Sequence, residues 1–256
     1  MARPLRARGR GDYGGHAVLK IGDCVLGRRP AVVAAVRDGM PRADIEWAAS
    51  AGVDIFELRL DLFSGMSPEH AEAEAARFAG FPVLATIRAA REGGRWDGDE
   101  KARLDLYRRL LPLAHAVDVE LSSTDIAGEV AAAARAAGRV VIGSFHDFAA
   151  TPPDGELDAL AGKADELGAD ILKVAAHCAD AAELRRLAAF ALRCGPRPAA
   201  VIGMGPAGMI SRVFFPALGS LLTYTFLGAP SAPGQLNLED TVRYLKTFYG
   251  WMEEGG

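Results

Sequence analysis

A chain of 256 residues and 27.0 kDa is long enough to bury a sizeable core, and its balance of 50% hydrophobic and 24% charged residues is that of a soluble globular protein. A formal net charge of −4 and a pI near 5.8 remove any electrostatic case for nucleic acid or an anionic membrane as partner. No apolar run approaches the roughly 20 residues that span a bilayer, and Cys24, Cys178 and Cys194 lie scattered without CxxC spacing, so free thiols in a reducing, cytoplasmic setting are expected.

Residues 1–15, MARPLRARGRGDYGG, carry four arginines and four glycines and almost nothing to bury, so they are expected to form a disordered basic tail. A hairpin is predicted over residues 17–27, AVLKIGDCVLG. Short β-branched runs then alternate with segments of helical period. The strands are Ala31–Val36, Val53–Leu60, Pro82–Arg88, Val117–Leu121, Val140–Phe145, Asp170–Ala175, Ala199–Met204 and Leu221–Leu227. The helices between and after them are Arg42–Ala51, Pro68–Phe78, Asp99–Ala114, Asp125–Ala137, Gly155–Leu167, Asp180–Cys194, Met209–Leu218 and Leu238–Tyr249. Runs apolar on both faces imply parallel strands covered by helices. Eight such pairs without a dividing linker predict one (β/α)8 barrel over residues 16–256, its N-terminal end closed by the hairpin; a doubly wound sheet is the alternative.

In a barrel of this kind, chemistry collects where strands end and βα loops begin. Glu57 and Arg59 close the second strand on one face, where they could equally be a structural ion pair. Arg88 closes the third, with Glu92-Gly93-Gly94 just beyond. His146 ends the fifth; alone, it would more often be a satisfied core histidine. Lys173 is harder to dismiss. The chain has 24 arginines and five lysines, yet a lysine sits among Ile171, Leu172, Val174 and Ala175. Only an amine can form an imine, and burial is expected to lower its pKa and supply the neutral nucleophile.

Three other patterns carry less. GMGPAG (203–208) matches GxGxxG, but no acid closes the next strand as a dinucleotide site requires. It reads better as a helix N-terminus offered to an anion, with Arg212 nearby. His177 and Cys178 are adjacent and lack partners at metal-ligand spacing. Ser144 near His146 lacks a GxSxG elbow.

Taken in order, E-x-R (57–59), T-x-R-x-x-x-E-G-G (86–94), S-x-H-D-F-x-x-T-P (144–152), I-L-K-V-A (171–175), M-G-x-x-G-x-x-S-R (204–212) and S-A-P-G-Q (231–235) resemble the type I 3-dehydroquinate dehydratase family. The resemblance runs from about residue 17 to the C-terminus. It implies dehydration of 3-dehydroquinate to 3-dehydroshikimate in the shikimate pathway, without metal or dissociable cofactor, by a homodimer. Lys173 would form an imine at the C3 ketone, His146 would move the C2 proton to the departing C1 hydroxyl, and Glu92 would orient His146. Arg212 would hold the substrate carboxylate. Ser231 and Gln235 would bind the ring, and Glu57, Arg59 and Arg88 its hydroxyls. Met204 and Phe148 would wall off the lysine, and residues 228–234 are the candidate lid. His177, four residues beyond the lysine, departs from the apolar residue expected there. Two other readings are a lysine-imine aldolase of the same fold and a barrel-derived binding protein that has lost catalysis.

Overall fold

The computed structural model describes residues 18–65, 67–228 and 232–250. The basic segment 1–15, Ser231 and part of the candidate lid lie outside them. The hairpin pairs β1 (Lys20–Ile21) with β2 (Cys24–Val25). Eight strands follow: β3 (Ala31–Val36), β4 (Ile55–Arg59), β5 (Val83–Thr86), β6 (Ala116–Glu120), β7 (Val140–Asp147), β8 (Ile171–His177), β9 (Ala199–Met204) and β10 (Leu222–Phe226). From β3 to β9 each pairs in parallel with the next, and β10 pairs in parallel with β3 through Leu222↔Ala31. Between β9 and β10 the Leu221 N–H donates to the Ala199 carbonyl at 2.8 Å, and the Val201 N–H donates to Ser220 Oγ at 3.0 Å. Those bonds close the curled sheet into a (β/α)8 barrel, with a short β11 (Leu236–Asn237) added beside the end of β10.

Period-two alternation divides every strand between two cores. Inward residues Val33, Ile55, Leu84, Ile142, Ile171, Ala200 and Leu222 form one buried cluster, with Ile21 and Leu26 of the hairpin in contact with it. The hairpin therefore plugs the N-terminal end, as its apolar residues suggest. Outward residues meet the helices. Phe56 on β4 packs its ring 5.3 Å from Phe78 and 5.6 Å from Phe81, a contact worth about 1.5–3 kcal/mol per buried ring before any aromatic geometry is added. On the far side Val174 and Val201 join Leu187 and Phe190 in an equivalent layer.

The strands alternate with α1 (Arg42–Ser50), α2 (Pro68–Ala76), α3 (Glu100–Leu110), α4 (Ala127–Ala136), α5 (Asp154–Leu167) and α6 (Ala181–Cys194), and several of these helices begin at a side-chain cap. Asp99 caps α3 (Glu100–Leu110), accepting from the Ala102 N–H. Asp180 caps α6 (Ala181–Cys194), accepting from the N–H groups of Ala182 and Glu183, and Asn237 caps the helix Leu238–Tyr249. One prediction fails. The single helix expected over Met209–Leu218 is replaced by short turns, Gly205–Gly208 and Ser211–Phe214, followed by a 3-10 turn at Phe215–Leu218. Pro216 removes an N–H that a continuing helix would use, and Gly208 packs backbone-to-backbone on Gly203 where a Cβ would come within 2.4 Å.

Candidate active site

At the C-terminal end of the barrel an open pocket, about 520 Å³ with the solvent space at its mouth included, is lined by Glu57, Arg59, Arg88, Glu92, His146, Lys173, Arg212 and Gln235. Eight of the nine sequence-predicted residues thus converge; Ser231 falls outside the described residues. Phe148, Met204, Ile202 and Tyr224 add apolar wall. His177 is not among the lining residues, and its ring instead packs on Gly205.

Lys173 sits in the middle layer of the barrel. Its register partner on β7 is Ser144, so His146, two residues on, rises one layer above it. The lysine Nζ donates to Asp118 Oδ2 at 2.8 Å and to Glu57 Oε1 at 3.5 Å, and lies 4.3 Å from the centre of the Tyr224 ring. Burial alone would favour a neutral amine, the expectation from sequence. The result is the reverse: the negative charges of Asp118 and Glu57 overcome desolvation and raise the lysine pKa above its ordinary value. Lys173 rests as an ammonium ion.

Asp118 is itself gripped. Its Oδ1 accepts from Arg88 Nη2 at 2.6 Å and from Ser144 Oγ at 2.5 Å. Despite complete burial, the positive charges of Arg88 and Lys173 pull its pKa far below the usual carboxylate range. Arg88 also donates to Glu120 Oε1 at 2.9 Å, and the other Glu120 oxygen pairs with Arg103 of α3, an arginine with no exposed surface. Arg88 is therefore a brace between two acids as well as a cavity wall. Arg59 turns to Asp61, 2.8 and 2.9 Å away, so the Glu57–Arg59 ion pair that the sequence left open does not form; Glu57 accepts from Thr86 Oγ1 instead.

His146 is held from one side. Glu92 Oε2 accepts both the His146 N–H at 2.9 Å and the ring Nδ1 at 3.0 Å, while Glu92 Oε1 accepts from Ser122 Oγ at 2.5 Å. A carboxylate at Nδ1 fixes the proton there and leaves the Nε2 lone pair as the free basic position. Burial, then the charges of Arg88 and Lys173, push the histidine pKa well below its ordinary value. Burial raises that of Glu92. The two glycines after Glu92 are sterically required. A Cβ on Gly93, which has φ of +78°, would come within 2.3 Å of the Phe148 ring, and one on Gly94 within 2.0 Å of the Arg88 carbonyl.

Arg212 lies on the opposite wall, from the turn after β9. It donates to the carbonyls of Gly234 at 2.7 Å and Tyr224 at 3.2 Å, and no carboxylate pairs with it among the described residues. Burial without a counter-ion pulls its pKa down to about 10. The Ala232 N–H donates to Gln235 Oε1 at 3.1 Å, which brings the strand-ten loop to the same wall.

Sequence reasoning missed Asp118, Glu120, Ser144 and Tyr224 as site residues. Asp118 and Glu120 had a usable signal: two acids two apart in a buried strand face the same way, as Glu57 and Arg59 do. Tyr224 had none, since an aromatic residue in a strand is ordinarily core.

A family model of type I 3-dehydroquinase matches residues 32–251. The 3-dehydroquinate dehydratase of Methanocella arvoryzae is 35% identical over 217 residues, covering 85% of this chain and 96% of that protein. The crystal structure of 3-dehydroquinate dehydratase from Aquifex aeolicus is similar with a TM-score of 0.78 at 31% identity, over 86% of this chain and 99% of that one. The type I enzyme of Clostridium difficile, solved with covalently modified comenic acid, gives 0.80 at 26% identity over 91% and 98%. With a matching family model over most of its length and relatives of this identity, the chain belongs to the type I 3-dehydroquinase family.

Proposed function

We propose that this enzyme removes water from 3-dehydroquinate to give 3-dehydroshikimate, by way of an imine between Lys173 and the substrate ketone. The observation that carries the reading is the position of His146 one layer above Lys173, with its Nδ1 committed to Glu92 and its Nε2 without a hydrogen bond among the described residues. The covalent modification in the Clostridium difficile relative supports covalent chemistry in this family.

The chemistry follows from charge. Once the ketone carbon is bonded to the lysine nitrogen, the protonated imine withdraws electrons and acidifies the neighbouring C2–H. His146 Nε2 takes that proton, and the electron pair moves into the C2–C3 bond as an enamine. The enamine returns its electrons, the C1–O bond breaks, and the same histidine gives its proton to the departing hydroxyl. Arg212, a buried cation with no carboxylate partner among the described residues, binds the substrate carboxylate as a charge-assisted fork. Arg59 and Gln235 face the hydroxylated side of the ring, and Ser231, outside the described residues, is assigned to the ring from the S-A-P-G-Q motif alone, while Glu57 and Arg88 keep Lys173 and Asp118 in place. Adding 3-dehydroquinate to the purified enzyme is expected to produce the ultraviolet band of a conjugated enoate. A lysine-imine aldolase would cleave the carbon skeleton without that band, and a binding protein would leave the spectrum unchanged; either result overturns the proposal.

A further inference from the structure

Tyr224 projects from β10 into the barrel, 5% exposed, and lines the cavity beside Lys173. Its hydroxyl oxygen is buried and makes no hydrogen bond within 3.5 Å among the described residues, its one polar engagement being a looser one with the Lys173 ammonium. A buried phenol almost always finds a partner, because leaving the group unsatisfied is unfavourable. Tyr249 follows the rule, donating to the Val213 carbonyl at 2.6 Å, and Tyr107 donates to the Asp118 carbonyl at 2.7 Å. Packing does not explain the exception, since phenylalanine would fill the same space without the unpaired oxygen. The group is also not remote: the Lys173 nitrogen lies 4.3 Å from the centre of the ring, and Ile202 and Met204 beside it offer no hydrogen-bonding side chain.

We propose that the Tyr224 hydroxyl is a further catalytic group, donating its proton to the ketone oxygen as Lys173 bonds to that carbon. This rests on the lysine-imine reading above. With Nζ 4.3 Å from the ring centre, the proposal places an oxygen on a carbon bonded to Nζ beside the hydroxyl at the ring's edge. The protons balance within the site. Lys173 begins as an ammonium ion with three protons and no free pair, so one proton first passes to Glu57 Oε1, 3.5 Å away. The nitrogen pair then forms the C–N bond as the C=O π pair moves to oxygen, which takes the phenol proton, and nitrogen returns a second proton to the phenolate. The phenol protonates the new hydroxyl, which leaves as water while the nitrogen lone pair closes the C=N bond, and Glu57 restores the phenol proton. The two protons lost by nitrogen are the two gained by oxygen, so tyrosine and Glu57 end as they began. Burial raises the phenol pKa, keeping the hydroxyl protonated until an oxygen acceptor arrives.

The test is Tyr224→Phe, which removes one oxygen and preserves the ring. Imine formation is read by mixing enzyme with 3-dehydroquinate, quenching with borohydride at timed intervals, and measuring the reduced adduct by mass, in a His146→Ala background that stalls the later steps. The proposal predicts that the phenylalanine variant forms the adduct at least about tenfold more slowly, consistent with loss of a general acid. With His146 intact, kcat is expected to fall, while the midpoint of thermal unfolding holds or rises because an unsatisfied hydroxyl has gone. Adduct formation at an unchanged rate overturns the proposal. So does a slower rate accompanied by a lower unfolding midpoint and rescued by stabilising co-solvent, which marks a packing role. No adduct at all in the protein that retains Tyr224 sinks the lysine-imine reading itself, and this proposal with it.

Discussion

The ammonium nitrogen of Lys173 stands 2.8 Å from Asp118 Oδ2, and this pair ends a buried alternation of charge that begins on the outer helix layer. Arg103 of α3 pairs with Glu120, Glu120 with Arg88, Arg88 with Asp118 and Asp118 with Lys173. Each ion has an oppositely charged neighbour, although Arg103 Nε is left without a hydrogen bond among the described residues, and such a chain is tolerable inside a protein but costly to break at one point.

Replacing Asp118 by Asn keeps the shape and removes the central negative charge. Arg88 and Lys173 then face each other across a neutral amide. Breaking a buried pair by removing one partner costs about 3–5 kcal/mol, so chemical denaturation should show a loss of that order. Activity should fall too, because the lysine loses the contact that holds it in the cavity. A variant as stable and active as the parent would mean that the network is ornamental.

The pH dependence follows from the His146–Glu92 pair. A base acts in its neutral form, and the histidine pKa is held well below 6.5 by burial and by the charges of Arg88 and Lys173. The activity is therefore present above the pair's acid transition and lost as pH falls through it. That transition in kcat/KM is expected below pH 6.5. Glu92→Gln removes the negative charge that favours the imidazolium, so its limb should move to still lower pH, with a reduced kcat from the weakened orientation of the ring. An acid limb above pH 6.5, unmoved by Glu92→Gln, would contradict the assignment.

Arg212→Ala removes a buried cation whose pKa is already pulled down to about 10 by desolvation. Losing a charge-assisted contact to a carboxylate costs about 2–5 kcal/mol, which corresponds to at least about a tenfold fall in kcat/KM. Stability should change little or rise, because no protein carboxylate among the described residues is left unpaired. Steady-state kinetics with 3-dehydroquinate checks the first part and thermal unfolding the second.

Much of the barrel was legible because period-two strands and capped helices are local signals. Asp99 and Asp180 announce α3 and α6, and strand β9 begins and ends where its apolar run does. The broken turns after β9 were not, because Pro216 and the close approach of Gly208 to Gly203 act through contacts that spacing does not reveal. The site was legible to the extent that strand-end polar residues share a face. Its electrostatics were not. The lysine looked like a group surrounded by Ile171, Leu172, Val174 and Ala175, but Leu172 and Val174 point outward to the helices, and it is Asp118, from two strands away, that sets its charge. Period-two arithmetic gives the face of one strand, and only barrel closure says which faces meet.

The central claim is that Lys173 bonds to the substrate while His146 moves the proton. His146→Ala should therefore still capture 3-dehydroquinate and then stall. Borohydride reduction followed by peptide mass mapping is expected to place the added mass on the peptide carrying Lys173, and Lys173→Ala and Lys173→Arg should give no adduct and very little turnover. An adduct on Lys20, Lys101, Lys163 or Lys246, or full turnover by Lys173→Ala, would contradict the account.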